Sequence, residues 1–140
     1  MTRSRRSRVQ DFLDALELWT TTAPYDSFPC ATIAWRLLPA IRSGQYRVYR
    51  HDDGSPRGFI SWAFMTREEF ATRDYSGEAI FERDSGEVMV FVDMVAPYGQ
   101  NDVLFICRDI RRLFRERYPD VQHVLAHRGR KNGSFPNIGG

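Results

Sequence analysis

Residues 87–102, EVMVFVDMVAPYGQND, decide how this chain folds. The run from Val88 to Val95 is apolar on both alternating sets of positions, the pattern of a strand covered on both faces of a sheet. One carboxylate, Asp93, interrupts it. An isolated carboxylate is so costly to bury that it is normally paired, hydrogen-bonded or neutralised. Asp93 is therefore either a structural anchor with a partner or part of a site. Strict alternation puts Met89, Phe91, Asp93 and Val95 on one face and Val88, Val90, Val92 and Met94 on the other. The chain then passes through APYGQND into a helix, and in open α/β sheets this strand end is where ligands gather. Asn101 or Asp102 is the expected N-cap. With a single glycine, the turn lacks the Gly-rich phosphate loop of nucleotide binders.

Working outward, the helix after the strand carries Val103, Ile106, Cys107, Ile110, Leu113 and Phe114 on one face, and VQHVLAH supplies a last strand. Upstream, QYRVYR and RGFISWAF flank the turn-forming HDDGSP, so residues 45–64 read as a β-hairpin. TREEFATRDY suits a short helix capped by Thr66, and AIFE (79–82) a short strand in the connection that follows. Val9, Phe12, Leu13, Leu16 and Trp19 form the stripe of a first amphipathic helix. A second follows Pro29, with Ile33, Ala34, Leu37, Leu38 and Ile41 inward, Pro39 disturbing its last turn and Gly44 ending it. This order predicts an α+β fold, an α/β sandwich in which helices cover both faces of a mixed sheet. A single domain is expected over residues 1–128, with a mobile tail over 129–140, where periodicity ends.

Composition narrows the function. The chain has 140 residues, 42% of them hydrophobic, and a net charge of only +2, which gives no reason to expect a nucleic-acid partner despite Arg3, Arg5, Arg6 and Arg8 near the start. Nineteen arginines stand against one lysine, Lys131, a bias that codon composition can explain. Cys30 and Cys107 fall in separate predicted helices without metal-ligand spacing, so neither disulfides nor a metal site is expected. The basic start lacks the apolar core of a signal peptide, and no run approaches about 18 apolar residues, so a cytoplasmic protein without a membrane span is expected.

Several motifs, taken in order, carry a resemblance. Pro39-Ala40-Ile41, Gln45-Tyr46, Ser61-Trp62-Ala63, Ser85-Gly86-Glu87, and Asp93 followed by Ala96-Pro97-Tyr98-Gly99 make the chain similar, over about residues 19–118, to the toxin-activating lysine acyltransferases, the hemolysin-activating group that fatty-acylates RTX protoxins. The resemblance implies a fold like that of the GNAT acyltransferases. It further implies an acyl carrier protein thioester as donor in preference to acyl-CoA, lysine side chains of a protoxin-type protein as acceptors, and a homodimer. It gives Asp93 a catalytic role and makes Ser61, Trp62, Ala96, Pro97, Tyr98 and Gly99 candidates for acyl or donor binding. The family's other catalytic residue is a His in a Pro-x-His pattern in the early loop. Here that loop reads Pro24-Tyr25-Asp26-Ser27-Phe28-Pro29, and the His is missing.

The substitution matters chemically. A lysine amine of pKa about 10.4 is neutral in about 0.04% of molecules at pH 7, so its attack on a thioester benefits from a proton acceptor. Tyr25 and Asp26 are the loop's candidates, and Asp26 is the better matched, because burial raises a carboxyl's pKa. His51, in the hairpin turn, and His127, near the last strand, are weaker ones. Tyr46, Tyr49, Trp62 and Phe64 are the residue types of an acyl channel, though aromatics in a hairpin ordinarily pack a core. Arg108, Arg111, Arg112 and Arg115 crowd one side of the long helix. They form either a solvated face or a dock for the acidic surface of a carrier protein. Three function classes follow. The leading one is a protein-lysine acyltransferase, and the alternative is a catalytically inactive relative serving as a protein-binding or structural module in toxin or phage assembly. A small-molecule acyltransferase is the third.

Overall fold

A computed structural model describes residues 2–3, 6–72 and 81–126. In chain order the elements are β1 (Thr2–Arg3), α1 (Arg8–Thr20), a single 3-10 turn (Tyr25–Ser27), α2 (Cys30–Ser43), β2 (Tyr46–Arg50), β3 (Pro56–Met65), α3 (Arg67–Thr72), β4 (Val88–Val95), α4 (Gln100–Arg117) and β5 (His123–Ala126). The strands form one sheet in the order β1-β2-β3-β4-β5, antiparallel throughout except for the parallel β4–β5 pair. α4 is the crossover that a parallel pair needs. The result is the expected α+β sandwich with a mixed sheet, consistent with a GNAT-like single domain. Within the AIFE segment, residues 79 and 80 lie outside the described part, as do His127 and the tail 129–140.

Both faces of the sheet are covered, as the apolar run in β4 predicts. Under α4, Ile106, Ile110, Leu113 and Phe114 pack on Ile60, Trp62, Phe64, Met89 and Phe91. On the other face, Ala15, Leu18 and Trp19 of α1 and Leu37 and Ile41 of α2 pack on Val48, Phe59 and Val95. Local chemistry accounts for several boundaries. Thr66 Oγ accepts the Glu69 N–H at 3.1 Å while Glu69 Oε1 accepts the Thr66 N–H at 3.2 Å, the reciprocal capping of a Thr-x-x-Glu start. α2 runs on through Pro39 and ends at Gly44, whose φ of 76° lets its N–H return to the carbonyls of Ala40 and Ile41.

α1 is rotated from its expected orientation. Val9 is 70% and Leu13 51% exposed, while Asp11, Asp14, Ala15, Leu18 and Trp19 face inward. The cause lies across the sheet: Arg50 at the end of β2 is 1% exposed, and its guanidinium donates to Asp11 Oδ1 at 2.7 Å and to Asp14 Oδ2 at 2.8 and 2.9 Å. A buried guanidinium without carboxylates costs several kcal/mol, more than exposing two aliphatic side chains. Tyr46 also donates to Asp11.

A second correction concerns the start of α4. Neither Asn101 nor Asp102 caps it. Gly99, at φ 117°, is the N-cap and offers no side chain. Asp102 instead turns inward and accepts from Arg57 Nε at 2.7 Å.

Candidate active site around Asp93

Asp93 is not on the face that strict alternation assigns it. Ser61 pairs with Asp93, but the next residue of β3, Trp62, pairs with Phe91, so β4 has one extra residue at Val92. This β-bulge resets the side-chain phase. Met89 and Phe91 stay beneath α4, whereas Asp93 and Val95 face α1 and α2 with Val88 and Val90. The carboxylate therefore meets the loop before α2 rather than the aromatic core.

There it is enclosed, at 1% exposure. Arg36 of α2 forms an ion pair with Asp93 Oδ1. The Tyr25 hydroxyl lies 3.2 Å from the same oxygen and 3.4 Å from the Met94 carbonyl. Aromatic packing fixes both partners. Tyr25 sits 4.7 Å from Trp19 and 5.3 Å from Phe28, ring centre to ring centre, and the Arg36 guanidinium lies 5.2 Å over the Phe28 ring. The loop aromatics thus hold a donor pair against one carboxylate oxygen.

The other oxygen is left over. Asp93 Oδ2 is buried with no hydrogen-bond partner among the described residues, and so are Ser61 Oγ, Trp19 Nε1 and Trp62 Nε1. Of these four atoms, the first two belong to directly paired residues on one face, and the third to the ring that packs on Tyr25. Buried polar groups are satisfied in the large majority of cases, so these exceptions single out the Asp93–Ser61 pair as a candidate site.

Electrostatics agrees with the geometry. Burial pushes the Asp93 carboxyl up to about 6, against the opposing pull of Arg36 and the Tyr25 hydroxyl. The phenol of Tyr25 is raised far above its ordinary range, first by burial and then by the Asp93 charge. Near neutrality Tyr25 is therefore a hydrogen-bond donor and not a base, and Asp93 is the group of the two that titrates near that range.

The structure gathers Asp93, Tyr25 and Ser61 and sets other candidates elsewhere. Asp26 is exposed on the 3-10 turn, its N–H bonded to the Thr22 carbonyl. Trp62 lies on the opposite face, in the core beneath α4. Ala96 packs at the edge of that core, and Pro97, Tyr98 and Gly99 form the exposed turn into α4. A Cβ on Gly99 would meet nothing within 4 Å, so its φ and not close packing calls for glycine. His51 packs edge-on against Tyr98 at 5.0 Å, joining the hairpin turn to this one. Arg36 is the residue that sequence reasoning missed. It lies three positions after Ile33 and one before Leu37, a charge on α2's inward stripe, just as Asp93 is a charge inside a buried strand. Opposite charges on inward positions of two separate elements are the signal that pairs them.

Among the described residues no helix is long and apolar enough to cross a membrane, and no cluster of three or more His, Cys, Asp or Glu is placed to hold a metal ion. Comparison with known proteins agrees with the ordered motifs. The chain is 29% identical over 125 residues to the leukotoxin-activating lysine-acyltransferase LtxC of Aggregatibacter actinomycetemcomitans, covering 88% of this chain and 71% of that protein. It is 29% identical over 106 residues to the leukotoxin-activating lysine-acyltransferase LktC serotype A11 of Mannheimia haemolytica, covering 74% and 59%. The protein-lysine myristoyltransferase HlyC of Escherichia coli is 29% identical over 105 residues, covering 74% and 58%. The matches thus span less than two thirds of the latter two relatives' length. The model of the RTX toxin acyltransferase family matches residues 8–134, nearly the whole sequence, and the chain belongs to that family.

Proposed function

We propose that this chain transfers an acyl group from a carrier-protein thioester to lysine side chains of a protein substrate, with Asp93 as the proton acceptor. The observation that carries the reading is the buried Asp93 Oδ2, unpartnered and beside the unpartnered Ser61 Oγ, in a carboxyl whose pKa stands near 6. Arg36 and Tyr25 occupy Oδ1 and leave Oδ2 as the free acceptor. In the proposed reaction the lysine Nζ attacks the thioester carbonyl, the C–N bond forms and the C–S bond breaks. The proton shed by nitrogen goes to Asp93 and then to the departing sulfur, which leaves as the thiol. Nitrogen becomes far more acidic once it has attacked, so an acceptor near pH 6 suffices without the family's His. Ser61 Oγ is the second acceptor for the incoming amine.

The inactive-module reading rests on its own observation: Arg36 is already ion-paired with Asp93, and Tyr25 packs against both Trp19 and Phe28. One experiment decides. The protein is incubated separately with myristoyl-loaded acyl carrier protein and with myristoyl-CoA, together with lysine-bearing segments of an RTX protoxin, and acyl loss and lysine acylation are read by mass spectrometry. Transfer is expected from the carrier protein, reduced about 10²- to 10⁴-fold by Asp93→Asn. No transfer from either donor leaves the module as the function, and transfer from the CoA ester alone replaces the donor.

A further inference from the structure

Among the described residues, six arginines of the sheet and its flanking segments are ion-paired with carboxylates. Arg36 meets Asp93, Arg47 meets Asp109, Arg50 meets Asp11 and Asp14, Arg57 meets Asp102, Arg67 meets Glu87 and Arg83 meets Glu69. The outer face of α4 carries a row of arginines that are not so paired. Arg108, Arg111, Arg112 and Arg115 are all exposed, and none has a carboxylate within ion-pair distance among the described residues. Their spacing of three and four puts them on one stripe, opposite the buried Ile106, Ile110 and Leu113. Two apolar residues head the same stripe, Leu104 at 38% and Phe105 at 41% exposure, and Phe105 is braced edge-on against Tyr49 at 6.0 Å.

We infer that this stripe is the docking surface for an acidic protein, the carrier that presents the acyl thioester; the identity of that partner rests on the acyl-transfer reading above. From Leu104 to Arg115 the stripe runs roughly 16 Å at 1.5 Å per residue. A small phosphorylated donor asks for cations converging on one point. A row of cations one turn apart matches carboxylates spaced along another protein's helix, and the row gains register from that match. The apolar head suits a protein partner better than a phosphate backbone, because Leu104 and Phe105 need an apolar surface to cover them. α4 also starts just beyond the end of β4 that bears Asp93. Its apolar head therefore lies nearer that strand end than the arginines do, although the Asp93 side chain itself faces α1 and α2 across the sheet. With a net charge of only +2, the attraction comes from this local row and not from the molecule's overall field.

The test is binding of the intact chain to fluorescently labelled acyl carrier protein, followed by anisotropy, with a double-stranded DNA oligonucleotide as a parallel probe. Arg108→Glu/Arg112→Glu is expected to weaken carrier binding by about tenfold or more, while Arg108→Lys/Arg112→Lys retains most of it. Raising salt from about 0.05 to about 0.3 M is expected to weaken the parent's binding and to affect the charge-reversed variant little. Thermal melts of both variants should match the parent, since Arg108 and Arg112 are exposed and have no carboxylate partner among the described residues. Carrier binding that survives charge reversal within about twofold, absence of carrier binding, or DNA binding through the stripe in its place would each overturn the inference. Its failure is separable from failure of the catalytic reading. Binding that needs the stripe without any acyl transfer supports the dock alone, whereas full transfer by the charge-reversed variant removes the dock and leaves the chemistry standing.

Discussion

Arg50 and Asp93 are each 1% exposed, both on the α1 and α2 side of the same sheet, and they are buried in opposite ways. Arg50 stands between two carboxylates, Asp11 and Asp14, which come from one helix three residues apart and accept several of its N–H groups. The charge is matched and its donors have acceptors. Asp93 has two donors, Arg36 and Tyr25, crowded onto one oxygen and none on the other. A fully paired charge fixes an element's orientation, here the rotation of α1. A half-paired one keeps capacity in reserve for something that arrives later, at a cost visible in its raised pKa. Only the second is a candidate for chemistry.

The strongest way to break the comparison is to unpair the first cluster. Asp14→Ala leaves Arg50 buried with one carboxylate and is expected to destabilise the fold by about 3–5 kcal/mol. Thermal melting should show this as a loss of roughly 10–20 °C. A loss of only a few degrees would show that α1 is held by its apolar contacts.

Asp93 should behave with the opposite sign. Because its folded pKa is raised from 3.8 to about 6, the folded state keeps a proton that the unfolded state has lost. Its contribution to stability is present below about pH 4 and disappears as pH rises through about 6, a difference of up to roughly 3 kcal/mol. Asp93→Asn cannot titrate and should lack this decline, so at pH 7 it should melt no lower than the parent. Denaturant titrations of the two proteins at pH 4, 5, 6 and 7 measure it, and parallel curves would mean that Arg36 neutralises the charge completely.

Tyr25→Phe sharpens the same point with a smaller effect. Losing a hydrogen bond to a buried charge should cost about 1.5–3 kcal/mol at pH 7. The hydroxyl also holds the Asp93 pKa down, so its removal should move the acid limb of the pH–rate profile to higher pH. A limb that stays in place would show that it is not set by the Asp93 carboxyl. Asp26→Ala, at the exposed neighbouring position, should change melting by no more than about 0.5 kcal/mol and leave transfer unaltered. A marked loss of transfer would bring Asp26 back into the site.

Sequence alone determined what depends on near neighbours along the chain. The hairpin, the inward face of α4, the Thr66 capping and the burial of β4 all follow from periods of two or 3.6 residues and from turn chemistry. The order of motifs around Asp93 was enough to place the chain among the RTX toxin acyltransferases and to name Asp93 as a candidate, while the loop reading favoured Asp26 over Tyr25 and only the fold put Tyr25 beside Asp93. Tertiary structure decided what those periods cannot encode. One extra residue at Val92 turns Asp93 to the other face, and a buried Arg50 turns α1 so that two aspartates point inward and Val9 and Leu13 outward. Arg57 draws Asp102 away from the helix end it was expected to cap, and Arg36 reaches Asp93 across 57 residues of chain. The physical reason is the same in each case. A buried charge must find its partner wherever the fold supplies one, and that requirement outweighs local preferences worth about 1 kcal/mol.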